Sequence, residues 1–215
     1  MHLGCRVTGE RQLIGVPPHS KPWPLDEHFD TALLEHGDAR NVVDRYRYWR
    51  HDAITADLRR RQHPFHVAIE NFQHDFNIGT VVRCANAFLA SGVHIVGKRR
   101  WNRRGAMMTE QYLEVRHHPT VETFVEWAGA EDLPIVGVDN LEGSVPLEQF
   151  EPARRCVFAF GQEGPGLSEE MRKAATTLVG ITQFGSTRSI NAGVAGGIVM
   201  HHWVMAHGDV SKGSV

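Results

Sequence analysis

The chain has 215 residues and a mass of 24.1 kDa, the size of one α/β domain with a modest extension. At 41% hydrophobic and 22% charged it is neither a disordered nor a low-complexity sequence. No apolar run reaches the ~20 residues of a membrane helix. The formal net charge of −2 by itself counts against a polyanion partner. Met1 to His19 lacks the apolar core of a signal peptide. Cys5, Cys84 and Cys156 are odd in number and contain no C-x-x-C pair. That pattern argues against a disulfide framework or zinc ribbon and leads us to expect a reducing cytoplasm.

The net charge conceals an uneven distribution. Residues 40–61 carry seven Arg against three Asp. Residues 97–105 carry Lys98, Arg99, Arg100, Arg103 and Arg104 with no acid. Residues 119–153 carry eight acids and no Lys or Arg. Each run alone reads as a solvated face, but two basic runs in one small chain favour a polyanion site.

Residues 1–37 hold four of the ten prolines and read as an irregular arm. Residues 38–61 read as a helix, because Val42, Tyr46, Trp49, Ala53 and Ile54 form one apolar stripe with Arg on the other faces. Pro64 ends it. This gives an arm plus helix over 1–62 and a second domain over 63–215. From residue 65 strands and helices alternate. The expected order is strand His66–Glu70, helix Ile78–Ala90, strand Val93–Gly97, helix Glu122–Ala130 and strand Pro134–Val138. Strand Cys156–Phe160, helix Ser168–Ala175, strand Leu178–Ile181 and helix Ala192–His207 complete it. Such alternation predicts an α/β fold, a parallel sheet with helices on both faces. Ligands of such sheets bind beyond the carboxyl ends of the strands, so the loops there are the places to look for chemistry.

Three loops stand out. In the first, residues 70–83, Asn71 and Asp75 suit a turn and Asn77 suits an N-cap, with Arg83 in the second helical turn. Taken alone, Asn77 and Arg83 read as a cap and a surface charge. The second, Phe160 to Ser168, has three glycines in six residues and Ser168 placed to cap the next helix. It is neither G-x-x-x-x-G-K-[ST] nor G-x-G-x-x-G, so a nucleoside triphosphate or dinucleotide is not indicated. Glu163 inside it has no role in a simple turn. The third, Ile181 to Asn191, opens an Ala/Gly-rich helix that either Ser189 or Asn191 can cap. Gly193, Ala195, Gly196 and Gly197 are small enough to let another backbone or a ligand approach.

Together these loops resemble the SpoU/TrmH branch of the SPOUT methyltransferases. Asn77 and Arg83 match the first motif of that family. Gly161, Glu163, Gly166 and Leu167 match its G-x-E-x-x-G-L motif. Ile181 and Ser189-Ile190-Asn191 match the third, twenty residues after Gly161 and running into the last helix. Thr182 and Gln183 depart from the family's Pro and Met, Ile190 replaces Leu, and Ala192-Gly193-Val194-Ala195 replaces Val-Ser-Val-Ala. The match covers roughly residues 65–207.

The resemblance implies an S-adenosylmethionine-dependent RNA methyltransferase acting on a ribose 2′-hydroxyl, with tRNA slightly favoured over rRNA. It implies a homodimer, no metal, and a deep trefoil knot at the C-terminal end, which general chain statistics alone oppose. Arg83 would activate or position the 2′-oxygen, Asn77 would orient Arg83 or the ribose, Glu163 would hold Asn77, Arg83 or the third loop in place, and Ser189 and Asn191 would shape the site. Gly161, Ile181, Ile190, Gln183 and Val138 would bind the cofactor, mostly through backbone groups. Arg99, Arg100, Arg103 and Arg104 would contact RNA, as would Arg45, Arg47 and Arg50 beside Tyr46, Tyr48 and Trp49. The alternatives are a base methyltransferase of the same class and an RNA-binding module without catalysis. A metal hydrolase, suggested by fourteen His, lacks H-E-x-x-H.

Overall fold

The computed structural model describes residues 15–73 and 77–213. The expectations for residues 1–14 and for Asp75 lie outside the described residues. The chain divides into two compact units, Met1–Ile54 and Thr55–Val215.

In the first unit the expected helix over 38–61 is largely absent. A short helix α1, Thr31–His36, forms in the segment read as irregular. Asp30 caps it, its Oδ1 accepting from the Ala32 and Leu33 amides at 2.9 and 3.2 Å. Only His51–Arg61 is helical thereafter (α2), preceded by a single 3-10 turn, Asp44–Tyr46. The cause is Asp38, which is fully buried. Its carboxylate takes Arg40 in a two-pronged ion pair (2.8 and 2.7 Å) and the Tyr48 amide at 2.9 Å. Burial alone would raise its pKa, but the bonds from Arg40 and Tyr48 outweigh burial and hold it below the usual value. Satisfying this buried charge draws the chain out of helix, with Tyr48 at φ 63°. The apolar stripe is used all the same, with Tyr46 buried edge-on to Trp49.

The second unit is built on seven parallel strands. They are β1 His63–Asn71, β2 Ala90–Gly97, β3 Val115–His118, β4 Ile135–Val138, β5 Val145–Pro146, β6 Cys156–Phe160 and β7 Thr177–Gly180. Their spatial order is β3-β2-β1-β6-β4-β7-β5. The helices are α3 Ile78–Ala87, α4 Val121–Ala130, α5 Glu169–Ala174 and α6 Ala192–His207. Successive strand residues face opposite sides. Phe65, Val67 and Ile69 of β1 join Val81 of α3 and Val199, Met200 and Trp203 of α6. Ala68, Val157 and Ala159 join Phe124 of α4 and Met171 of α5. Each large side chain buried this way contributes about 1.5–3 kcal/mol.

β3 and β5 carry no apolar run, which is why the sequence reading passes over them. They add to the sheet edges by backbone pairing. α3 stops short of Ala90 because Leu89 is left-handed (φ 57°) and Ala90 already begins β2.

The small residues of α6 face α3. A β-carbon on Gly193 would stand 2.7 Å from Thr80 Cγ2, and one on Gly196 would stand 3.4 Å from Val81 Cγ2. At its other end α6 is fastened by three ring nitrogens. His202, Trp203 and His207 hydrogen-bond the carbonyls of Phe150, Ala153 and Pro152 at 2.8, 3.1 and 2.7 Å.

Three histidines cross the sheet as a hydrogen-bonded row. His66 Nδ1 meets His94 Nε2 at 3.1 Å, and His94 Nδ1 meets His118 Nε2 at 2.8 Å. His94 stacks on Trp127, ring centroids 3.8 Å apart. Each contact holds one proton between two nitrogens, so the neutral row satisfies both bonds. Burial, with the neighbouring Arg116 charge, pushes His66 down to about 4 and His94 to about 2. The unfolded chain binds these protons near 6.5 and the folded chain does not, so stability falls as pH drops from about 6.5 toward 4. The unfolding free energy from denaturant titrations is expected to be lower at pH 5 than at pH 7 by about 4 kcal/mol from these two groups, with a lower midpoint. Equal midpoints would contradict a neutral row.

Candidate active site

The carboxyl ends of β1, β4, β6 and β7 lead into four loops that are tied to one another by side chains. The glycine-rich loop after β6 closes on itself, Gln162 and Gly166 exchanging backbone bonds at 3.1 and 3.0 Å. A β-carbon on Gly161 would overlap the Gly166 carbonyl carbon and the Leu167 nitrogen. Gly166, at φ 72°, lies against the Asp139 carboxylate. Below this loop, buried Glu70 of β1 accepts from the Ser168 amide at 2.8 Å and hydroxyl at 2.5 Å. Burial raises the Glu70 pKa, with the Ser168 bonds opposing. Ser168 caps α5 as expected, its Oγ accepting from Met171 N at 3.1 Å.

Gln162 reaches from this loop to the one after β1, its Oε1 accepting from the Phe72 and Gln73 amides at 2.9 and 2.5 Å. Asn77, 7% exposed, stands where three loops converge. Its Nδ2 donates to Glu163 Oε2 at 2.8 Å, and its Oδ1 accepts from Asn191 Nδ2 at 2.6 Å. The expected capping role of Asn77 is corrected here. Its backbone is already helical (φ −81°, ψ −16°) and its side chain makes no cap bond. The carboxamide instead bridges residues 86 and 114 positions away. Asn191 is the residue that caps its helix, Oδ1 accepting from the Gly193 and Val194 amides at 2.9 and 3.2 Å.

Not every expected residue joins this cluster. Arg83 is exposed on α3 and, among the described residues, makes no ion pair. Ser189 is exposed, and its carbonyl accepts from Thr187 Oγ1 at 2.8 Å. Val138 is buried at the end of β4, while Ile181, Ile190 and Gln183 are half-buried. The Ile181 backbone is already paired: its N–H donates to Asn140 Oδ1 at 2.8 Å and its carbonyl accepts from Asn140 Nδ2 at 3.0 Å. Gln183 Oε1 is buried without a hydrogen-bond partner. This orphan acceptor suits a ligand that brings a hydroxyl or amino donor.

The basic loop after β2 lies against the start of α3. A β-carbon on Gly79 would be 2.8 Å from Ala106 N and 2.9 Å from Gly105 Cα. Asn71, expected in a turn, is the last residue of β1 and holds this loop, donating to the Lys98 and Arg100 carbonyls at 2.6 and 2.9 Å. Arg99, Arg100, Arg103 and Arg104 are exposed, and the Arg103 guanidinium lies 5.7 Å from the Trp101 ring centre. In the first unit Arg45 and Arg50 are exposed, but half-buried Arg47 donates to the Arg40 carbonyl at 2.6 Å. No cluster of His, Cys, Asp or Glu among the described residues could hold a metal ion. No helix among them is long and apolar enough to cross a membrane.

Asn71, Asp139, Asn140 and Gln162 are the residues that the sequence reading missed as site builders. Gln162 lies between flagged Gly161 and Glu163, and Asp139-Asn140 directly follow an expected strand. Their position was a usable signal; their partners, 27 to 90 residues away, were not.

A parallel α/β sheet whose carboxyl-end loops are cross-linked by Asn77, Glu163 and Asn191 defines the class, and the comparisons give the family. Residues 64–201 match the SpoU rRNA Methylase family, and the chain belongs to that family. An uncharacterized tRNA/rRNA methyltransferase of Mycolicibacterium vanbaalenii is 31% identical over 166 residues, 74% of this chain and 52% of that protein. The chain thus spans about half the length of the curated relatives it matches. An AdoMet-bound rRNA methyltransferase from Sinorhizobium meliloti superposes with a TM-score of 0.60 at 28% identity, over 69% of this chain and 59% of that one. A TrmH/SpoU tRNA modifying enzyme of A. aeolicus gives 0.64 at 19% identity, over 73% and 81%, and so shares the fold.

Proposed function

We propose that this protein is an AdoMet-dependent RNA methyltransferase that methylates a ribose 2′-hydroxyl. Its family supports methyl transfer to RNA, and the AdoMet-bound relative supports the cofactor. The observation that carries the reading is the Glu163–Asn77–Asn191 line, assembled from three loops on the helix that bears an open Arg83.

The cofactor, when bound, supplies a methyl group already activated on a sulfonium. What remains for the protein is to align a weak nucleophile and ease the loss of its proton. A guanidinium in a protein keeps its proton, so the base must be another group. Arg83 holds the 2′-oxygen and the adjacent phosphate, and that phosphate accepts the proton. Asn77, fixed at both ends of its carboxamide, orients the ribose. Glu163 and Asn191 keep Asn77 in place, and Ser189 lines the entrance. Gly161, Val138 and Ile190 form the cofactor cradle, with Gln183 offering its orphan oxygen. Exposed Arg99, Arg100, Arg103 and Arg104, beside the start of α3, hold the RNA backbone. Arg45 and Arg50, exposed in the first unit, also contact RNA, with tRNA the favoured substrate and the cytoplasm the expected setting.

The same reading includes a homodimer and a knotted C-terminal segment. Val194, Ile198 and Met205 are 54, 39 and 65% exposed and share one stripe of α6, an apolar face suited to a second copy.

The test is incubation of tRNA and rRNA with labelled AdoMet, followed by digestion to nucleosides. Label is expected in a 2′-O-methylated nucleoside. Label in a base would overturn the ribose assignment, and no transfer to any RNA would overturn the activity.

A further inference from the structure

We infer that Asp139 and Asn140 are positioning residues that set the spacing of the two cofactor loops. The inference rests on the cofactor reading above but not on which RNA atom is methylated.

The two residues are consecutive and directly follow β4, which lies between β6 and β7 in the sheet. Each reaches a different neighbour. Asp139 Oδ2 accepts from Leu167 N at 2.9 Å, at the closing end of the glycine-rich loop. Asn140 takes both backbone groups of Ile181, at 2.8 and 3.0 Å, where the loop after β7 begins. One dipeptide therefore ties together the loop that follows β6 and the loop that follows β7.

The dipeptide is itself held. Asp139 N donates to Val179 O at 3.0 Å, and its carbonyl accepts from Ser144 Oγ at 2.9 Å and from Leu141 N at 3.1 Å. Both partner loops have left room for it. Gly166 lies against the Asp139 carboxylate, and a β-carbon on Gly180 would stand 3.0 Å from Asn140 Oδ1. Glycine on both sides lets these two side chains reach backbone that a larger residue would shield.

A carboxamide carries its donor and its acceptor on separate atoms, and Asn140 uses both on a single residue. An aspartate at 140 could accept from the Ile181 amide but would face its carbonyl with negative charge. With both Ile181 groups engaged, Ile181 serves the cofactor by being fixed, while the neighbouring Gln183 oxygen is left to accept a bond. Holding the loops before binding spares the ordering cost at the moment of binding.

The experiment is AdoMet calorimetry on the full chain, with steady-state kinetics on RNA and unfolding midpoints without ligand. Wild type is measured first; failure of wild type to bind removes the cofactor reading itself. Given wild-type binding, Asn140→Ala is expected to weaken AdoMet about tenfold, a single hydrogen-bonded clamp's worth. KM for AdoMet should rise in step, kcat should change less than threefold, and the ligand-free midpoint should stay near wild type. Asn140→Asp should also weaken binding, because one of the two bonds is lost. Asn140→Ser, which keeps one small hydroxyl, serves if the alanine variant does not fold. Unchanged affinity would overturn the proposal. Tighter binding would overturn it too, since it would show that Asn140 competes with the cofactor for Ile181.

Discussion

Arg83→Ala is expected to lower methyl transfer by roughly a hundredfold or more, the usual range for losing a group that assists a proton transfer and aligns its substrate. The side chain is exposed on α3, and among the described residues no carboxylate pairs with it. Its removal should therefore cost the fold no more than about 0.5 kcal/mol, as for other surface changes. The Glu163–Asn77–Asn191 line does not include it, so AdoMet affinity should also hold. The predicted signature is a fall in kcat with the unfolding midpoint and AdoMet affinity unchanged. Arg83→Lys should recover only part of the rate, because an ammonium keeps the charge but not the planar fork that spans two oxygens. Single-turnover transfer of labelled methyl from pre-bound AdoMet measures the step directly. Near-wild-type turnover in the alanine variant would remove Arg83 from the chemistry.

Gly161→Ala is expected to be the most damaging single methyl group in the domain. The added carbon would fall on backbone, at the Gly166 carbonyl and the Leu167 amide, and not on a side chain able to swing away. That backbone is fixed from two directions, by the Gln162–Gly166 pair and by Asp139. Overpacking commonly costs 1–3 kcal/mol where neighbours can shift, so about 3 kcal/mol or more is expected here. AdoMet binding should be lost even at temperatures where the variant stays folded, since the cradle must open to admit the methyl group. Gly129→Ala provides the contrast. It lies in α4 with nothing within 4 Å of the new carbon, and should stabilise by about 0.5–1 kcal/mol through helix propensity. Calorimetric melts of the two variants should move in opposite directions, and only Gly161→Ala should lose AdoMet binding in titrations. A Gly161→Ala protein that binds AdoMet normally would show that the loop is not built as described.

The elements of the second unit were readable because most contain apolar runs bounded by turn residues, as Cys156–Phe160 and Ala192–His207 show. Val115–His118 was not, since an edge strand reading Val-Arg-His-His carries its reason in its neighbour. The 38–61 stretch misleads for a different reason. Its period is real, yet one buried carboxylate at Asp38 redirects thirteen residues of chain. In the site, residue types and spacing marked Asn77, Glu163 and Asn191 as special. What Asn77 does was not legible, because a cap and a crosslink both begin as an asparagine ahead of a helix. The role of Asn140 was hidden further, inside an acidic run that reads as solvated surface.

The bonds that make the site join positions 28, 41, 86, 90 and 114 residues apart. None is local, so loop closure must be met before any of them can form. During synthesis the amino-terminal partner of the longest link is made more than a hundred residues before Asn191 appears. A nascent chain that has completed β1 through β7 thus has Glu163 to hold one end of the Asn77 carboxamide, but nothing for the other end until Asn191 arrives. Competence for ligand is gained late and in one stroke, and a chain cut short before Asn191 would fold toward a sheet while never acquiring it.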